Sequence, residues 1–405
     1  MKTAGIIAEY NPFHNGHFYQ ISQVRKKSGA DYIIVAMSGD YVQRGTPALL
    51  SKYARAEMAL RCGADLVLEL PVSCSTASAE GFAMGGVSLL NSLGIVDMIC
   101  FGSESGNVRI LKDLAEVLAE EPVKYQVNLR EALSNGMSYP AARDLALVKY
   151  MNNNQISGIL SSPNNILGIE YCKALLKLNS SIQPVALKRA GAGYHDENFT
   201  EDGFSSATAV RKLFLSEESD KEALKTQVPP VVYPVLMKSL KSNSFITEKD
   251  FDSILYYCLL KAEADELSRF CDVSDSMAKR IKNQLNHYHG FASFSSLLKT
   301  RDITQTRVQR ALLHIILGIR EIPDHVPYAS ILGFRKESSP LLTKIKEKSS
   351  IPLLSKSADA EKILSEEDMK LFRMNTFASN LYEGILAEKS SQDFVHEYSR
   401  QMVIV

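Results

Sequence analysis

Two histidines three residues apart, His14 and His17, stand in the stretch Ala4–Gln20, AGIIAEYNPFHNGHFYQ. On a first helical turn, residues three apart face the same way, so both imidazoles would point at one place. Gly16 between them has no Cβ and lets a ligand approach the backbone. The apolar run Ala4–Ala8 reads as a short buried strand, and Asn11-Pro12 as a turn into a helix opening near His14. A helix start aims N–H groups and its positive end at whatever lies above the strand, which suits a phosphate. Two imidazoles beside it could stabilise charge on a phosphoryl group in transit. Read locally, the same pair is two helix-start histidines with capping or surface roles.

His14-Asn15-Gly16-His17, directly after the first strand, resembles the HxGH signature of the nucleotidylyltransferase superfamily, relatives of the class I aminoacyl-tRNA synthetases. The resemblance implies that His14 and His17 are the catalytic pair. It also implies an ATP site along Ile7, Ala8, Glu9, Tyr10, Asn11, Pro12, Phe13, His14, Asn15, Gly16, His17, Phe18, Tyr19 and Gln20. Further on, Ser205-Ser206-Ala207-Thr208-Ala209-Val210-Arg211 resembles the superfamily's second signature, ISSTxIR, a helix start that holds ATP phosphates. Ser205 replaces its apolar lead residue and Ala207 a serine, while Ser206, Thr208 and Arg211 keep the register.

The elements that must position these motifs alternate. After a helix over roughly His14–Gly29, Tyr32–Met37 reads as a second strand, Asp65–Leu70 as a third, Val96–Phe101 as a fourth and Pro184–Leu187 as a fifth. Helices over Ser51–Cys62, Ala77–Leu93 and Ile166–Leu178 intervene, with a helical insertion from Val108 to Tyr150. This is an open α/β, Rossmann-like arrangement, in which ligands bind beyond the carboxyl ends of the strands. The loops there carry the next candidates. Arg44 could clamp a phosphate and Asp40 a magnesium-bound water or ribose hydroxyl, or Ser38–Gly45 is only a capped turn. Gly102 could let adenosine lie against the backbone, or mark a plain turn. Asn164 or Asn165, in a polar loop ahead of the Ile166 helix, offers an amide to adenine or ribose, or an N-cap. Lys188 and Arg189 leave a strand end as an anion clamp. Lys52 and Arg55 share a helix face, as ligands or as solvated charges.

At 405 residues the chain is long for one domain. Val228-Pro229-Pro230 follows a charged stretch, and a boundary is expected at 222/223, with a mostly helical part over 223–405. Lysine plus arginine and aspartate plus glutamate both number 46, so any nucleic-acid surface must come from local segregation. Cations do gather at Lys279, Arg280, Lys282, Lys299, Arg301, Arg307, Arg310 and Arg320, around His287, Tyr288 and His289. That is a candidate phosphate-backbone footprint or a set of solvated helix faces. The 6 cysteines contain no CxxC pair and read as reduced thiols of a cytoplasmic protein without a zinc site. Neither a signal peptide nor a membrane span is apparent, and no obligate protein partner is implied.

The segments AEYNPFHNGH, MSGDYVQRG, GADLVLELP, FGSESG, SPNNILGIEY, KRAGAGYHD and SSATAVR occur in this order ahead of TRVQRALLHIILGI. Over essentially the whole chain they resemble the bacterial tRNA(Met) cytidine acetate ligase family. The family pattern has Glu where Thr46 stands and varies at position 40, which favours Gln43 and Arg44 over Asp40 and Thr46. The resemblance implies ATP with magnesium and acetate as substrates, an acetyl-adenylate intermediate, and N4-acetylation of the wobble cytidine of elongator tRNA(Met). It would make residues 1–222 the catalytic part and 223–405 the tRNA-binding part. Two rival readings stand beside it: an adenylyltransferase acting on a small phosphate ester, and a non-catalytic RNA-binding factor that only holds ATP. The first is usually compact and leaves the C-terminal half without a purpose.

Overall fold

The computed structural model describes residues 1–188, 205–216 and 221–405. Arg189 and the Ala190–His195 run fall outside the described residues. β1 (Thr3–Ala8) leads through the HNGH turn into α1 (Asn15–Ser28). β2 (Tyr32–Ser38) is followed by a hairpin of β3 (Tyr41–Val42) and β4 (Thr46–Pro47), then by α2 (Lys52–Arg61). β5 (Leu66–Leu70), the short α3 (Val72–Ser75), α4 (Ala79–Ser92) and β6 (Met98–Ser103) come next. The expected helical insertion is α5 (Val108–Glu120), α6 (Val123–Ser134) and α7 (Tyr139–Met151), ahead of α8 (Pro163–Lys177) and β7 (Gln183–Lys188). α9 (Ala207–Leu215) carries the second signature.

These strands lie parallel in the order β5-β2-β1-β6-β7. Their near-continuous apolar runs follow from burial on both faces. On one face Ile7, Leu68 and Phe101 meet Phe82, Leu90, Leu111 and Ile169 of α4, α5 and α8. On the other Ile6, Val35 and Val67 meet Ile21, Ala59 and Val210 of α1, α2 and α9.

The second half is helical over α10 (Lys221–Gln227), α11 (Tyr233–Lys241), α12 (Asp252–Lys261), α13 (Ala264–Leu267), α14 (Asp275–Gln284), α15 (Phe291–Leu298) and α16 (Gln305–Leu317). Beyond it lie β8 (Ala329–Phe334), α17 (Ser339–Lys348), β9 (Leu353–Leu354), α18 (Ala360–Ile363), α19 (Glu366–Ser390) and β10 (Val403–Ile404). The helices have their own core, in which Leu255, Phe291, Phe294 and Leu312 meet Tyr382 of α19. β8, however, pairs antiparallel with β5, and both β9 and β10 pair parallel with β8. The sheet therefore draws strands from both sides of the expected 222/223 boundary. An uncovered β5 would present a row of unpaired backbone groups, which β8 satisfies.

Pro163 stands at the start of α8, so Asn164 and Asn165 belong to its first turn and not to a preceding loop. No helix among the described residues is long and apolar enough to cross a membrane. Burial pushes the thiols of Cys62, Cys74, Cys100 and Cys172 up to about 12, which keeps them protonated and poor nucleophiles.

Candidate active site

His14 is the N-cap of α1: its Nδ1 accepts the Gly16 N–H at 3.0 Å. His17 reaches back, its Nδ1 accepting the His14 N–H at 3.3 Å, which completes a reciprocal capping box. An imidazole that accepts at Nδ1 is neutral and carries its proton on Nε2. Both histidines are thus fixed as Nε2–H donors. Their rings lie 3.7 Å apart, so they act from nearly one point. Buried Tyr10 and Phe13 form the floor, with ring centroids 4.8 and 5.5 Å from that of His17. The rings therefore cap the helix, as the local reading has it, in a way that puts each proton on Nε2.

The turn ahead of the histidines is held from beneath. Arg55, wholly buried, donates from Nη1 to the carbonyls of Glu9 (2.6 Å) and Ser38 (3.0 Å), from Nε to Leu50 (2.9 Å), and from Nη2 to Gly39. Tyr10 takes φ +50, which swings the chain across the strand end. Asn11 accepts the Leu49 N–H at its side chain (2.8 Å) and Arg211 Nη1 at its carbonyl (2.7 Å). Arg211 also donates to Thr208 Oγ1 at 3.1 Å, and Ser206 caps α9 by accepting the Ala209 N–H at 3.1 Å. The second signature is thereby tied to the first.

Ile7, Ala8, Glu9, Tyr10, Asn11, His14, His17, Gln20, Gly102, Asn164, Ser206, Thr208 and Arg211, all expected, line one cleft. An adjoining hollow over the ends of β6 and β7 adds Gly16 and Tyr19, together with Leu187 and Lys188. Gln43, Arg44 and Thr46 enter the cleft from the β3–β4 hairpin. The wall of Phe82, Phe101, Leu167 and Tyr171 was not anticipated. The signal available was the spacing of Asn164, Leu167 and Tyr171 along one face of α8.

Several expected residues stand elsewhere. Phe13 and Pro12 are buried beneath the turn, Phe18 faces solvent, and Asn15 donates to Thr226 O at 2.8 Å. Asn165 is 3% exposed and spends its amide internally: Oδ1 accepts from Ser103 Oγ (2.7 Å) and the Ser105 N–H (3.1 Å), and Nδ2 donates to Ile159 O (3.3 Å). It shapes the loop that carries Gly102. Asn164, on the cleft, donates to Glu104 Oε1 at 2.6 Å. Asp40 is buried with Oδ1 accepting the Lys52 N–H at 2.8 Å, and so supports α2 where a metal-bound water was considered. Lys52 and Arg55 are neither ligands nor solvated charges: both are buried and hold the fold. Among the described residues no group of three or more His, Cys, Asp or Glu could hold a metal.

Of the cation-rich stretch, Arg310 donates to both carboxylate oxygens of Asp272 (2.8 and 3.2 Å), and Lys282 to the carbonyls of Leu259 and Ala262. Arg280 donates to Leu297 O, Arg320 lies over the Phe270 ring, and Tyr288 packs on Tyr256. Lys279, Lys299, Arg301 and Arg307 are exposed, with Arg307 Nε 3.6 Å from Asp272.

A parallel α/β sheet whose strand ends carry two imidazole donors, opposite a hydroxyl-rich helix start with its arginine, is the site of a nucleotidyl transferase. The model of the HIGH Nucleotidyl Transferase family matches residues 1–397. The chain is 40% identical to the tRNA(Met) cytidine acetate ligase of Acetivibrio thermocellus over 416 aligned residues, covering 100% of both. It is 39% identical to that of a Thermoanaerobacter species, covering 98% of this chain and 99% of the other. Crystal structures of Thermotoga maritima TmcAL superpose over 100% of both chains. The apo form gives a TM-score of 0.93 at 30% identity, and the form bound with alpha-thio ATP gives 0.92 at 29%. The chain belongs to the HIGH nucleotidyl transferase family, in its tRNA(Met) cytidine acetate ligase branch.

Proposed function

We propose that this protein activates acetate with ATP and transfers the acetyl group to N4 of the wobble cytidine of elongator tRNA(Met). The observation that carries the reading is the Arg211–Asn11 bond, which joins the two phosphate-suited helix starts into one cleft. Acetate is a poor acylating agent and a cytosine amine a poor nucleophile, because its lone pair is conjugated into the ring. Adenylation resolves the first difficulty. The carboxylate attacks the α-phosphorus, pyrophosphate leaves, and a mixed anhydride forms. Such transfer depends on positioning and on charge stabilisation. The Nε2–H donors of His14 and His17 serve the α-phosphoryl oxygens, and Thr208 with Arg211 serves the β and γ groups. The amine of a base splayed from its loop then attacks the acetyl carbonyl. No protein nucleophile is needed.

Magnesium, in this reading, arrives with the triphosphate, the usual way for that ion to enter such sites. Among the described residues lining the cleft, Glu9 is the one carboxylate. The helical part of 223–405 is read as the tRNA-holding part, through its exposed cations. The experiment is incubation with total tRNA, ATP and labelled acetate, followed by nucleoside analysis. Labelled N4-acetylcytidine dependent on ATP is expected. Adenylylation of a small phosphate ester, with tRNA left unlabelled, would overturn the reading in favour of the compact-transferase alternative.

A further inference from the structure

The sheet order divides the cleft into two sides. β6 and β7 lie on one side of β1, and their ends carry Gly102, Leu187 and Lys188 beside Gly16 and Tyr19. β2 lies on the other side, and the hairpin that follows it brings Gln43, Arg44 and Thr46 to the rim. The histidines stand on the axis between them, at the end of β1. A nucleotide whose α-phosphate sits at the histidines and whose adenosine runs along the smooth Gly102 side must direct its acyl group toward the hairpin side. There, among the described residues, the carboxylate lining the cleft is that of Glu9.

Glu9 is held firmly. Its backbone carbonyl accepts from buried Arg55 at 2.6 Å, and its Oε1 accepts the Gln43 N–H at 2.8 Å. One oxygen is thus anchored on the hairpin, and the carboxylate as a whole is fixed between β1 and the rim. It is a poor neighbour for an incoming acetate, since like charges repel. For an incoming amine it is a good one. We propose that Glu9 is the general base of the acyl-transfer step, which rests on the acetyl-transfer reading above.

The step balances without another reactant. The N4 amine attacks the acetyl carbonyl carbon, and a C–N bond forms. One amine proton passes to the Glu9 carboxylate. Collapse of the tetrahedral adduct breaks the bond between the acyl carbon and the phosphate oxygen, and AMP leaves with that electron pair. A base that meets the amine only after adenylation matters to the second half of the reaction far more than to the first.

The test uses the full chain with ATP, acetate and a tRNA(Met) transcript, and two variants. Glu9→Gln keeps an oxygen acceptor for the Gln43 N–H but cannot take a proton, and Glu9→Asp keeps the carboxylate. Acetate-dependent ATP–pyrophosphate exchange reads the first half, and single-turnover acetylation of tRNA reads the second. Loss of a positioned base costs on the order of 100-fold or more, so transfer by Glu9→Gln should fall by about that factor. Its exchange should fall at least about ten times less, and Glu9→Asp should recover part of the transfer. Equal losses in exchange and transfer would overturn the inference, as would Glu9→Gln transferring at the wild-type rate. Wild-type protein that exchanges pyrophosphate but acetylates no tRNA would overturn the functional reading itself, and this inference with it.

Discussion

The ammonium of Lys52 lies 2.6 Å from the carboxylate of Glu397, 345 positions further along the chain. The same nitrogen donates to both oxygens of Glu69, at 2.9 and 3.0 Å, and to Ser379 Oγ at 2.8 Å. All three charged side chains are buried, so the cation at the start of α2 joins β5 to the C-terminal segment. Lys52→Met would leave two carboxylates buried without their cation. Breaking a buried pair costs about 3–5 kcal/mol, and urea unfolding should show a loss of that size. Glu397→Gln should cost less, because Glu69 still faces the ammonium.

One lysine cannot offset two buried carboxylates fully. Burial drives the Glu69 carboxyl up to about 7, with the Lys52 ammonium opposing it. In the unfolded chain the group titrates near its ordinary 4.5. Between those values the native state keeps a proton that the unfolded chain has released, so this group makes stability fall as pH rises from 4.5 to about 7. Glu69→Gln should flatten that part of a plot of urea midpoint against pH. An unchanged slope would assign the dependence to another group.

His17→Ala removes one of the two fixed Nε2–H donors. A lost transition-state donor costs roughly 3 kcal/mol, about a hundredfold in rate. Acetate-dependent pyrophosphate release should drop by that factor, with ATP affinity changed much less. Equal losses in rate and affinity would place the ring in ground-state binding.

Gly45 sits at the tip of the β3–β4 hairpin with φ +75, against the backbone of Gln309 and Arg310 in α16. A Cβ there would fall on the Arg310 backbone nitrogen. Gly45→Ala combines a left-handed backbone, costing roughly 1–2 kcal/mol, with displacement of the hairpin that carries Gln43 and Arg44. Thermal unfolding should show the first effect. A fall in acetylation measured well below the unfolding midpoint should show the second.

The exposed Lys299 and Arg301 are better probes of a tRNA surface than Arg310, which is spent on Asp272. Changing both to Glu should weaken tRNA binding and reduce the slope of log affinity against log salt by about 2. The same variants should still catalyse pyrophosphate exchange. Unaltered affinity would make this stretch a solvated face.

The five parallel strands and both signatures were legible because apolar runs and helix-start residues are local patterns. The joining of β8 to β5 was not, since YASILGF carries no mark of its partner. Arg55 looked like a surface cation on its helix, because its burial depends on carbonyls converging from Glu9, Ser38, Gly39 and Leu50. Asn165 was misassigned for a related reason: two adjacent asparagines on a helix start point to different sides, and sequence alone does not say which one faces the cleft. Nothing in the residue types marks Phe82 and Tyr171, because a cleft wall has the same composition as an interior.

β10 pairs with β8 at Val403–Ile404, and Glu397 closes the charge on Lys52. During synthesis, the first strands therefore leave the ribosome long before the segments that complete their sheet. Until residues 329–334 and 396–405 follow, β5 keeps an open edge and the Lys52–Glu69 pair lacks its second acid. Closure over such sequence distances is slow. The nascent N-terminal half would thus have a prolonged period of exposure to chaperones or to aggregation.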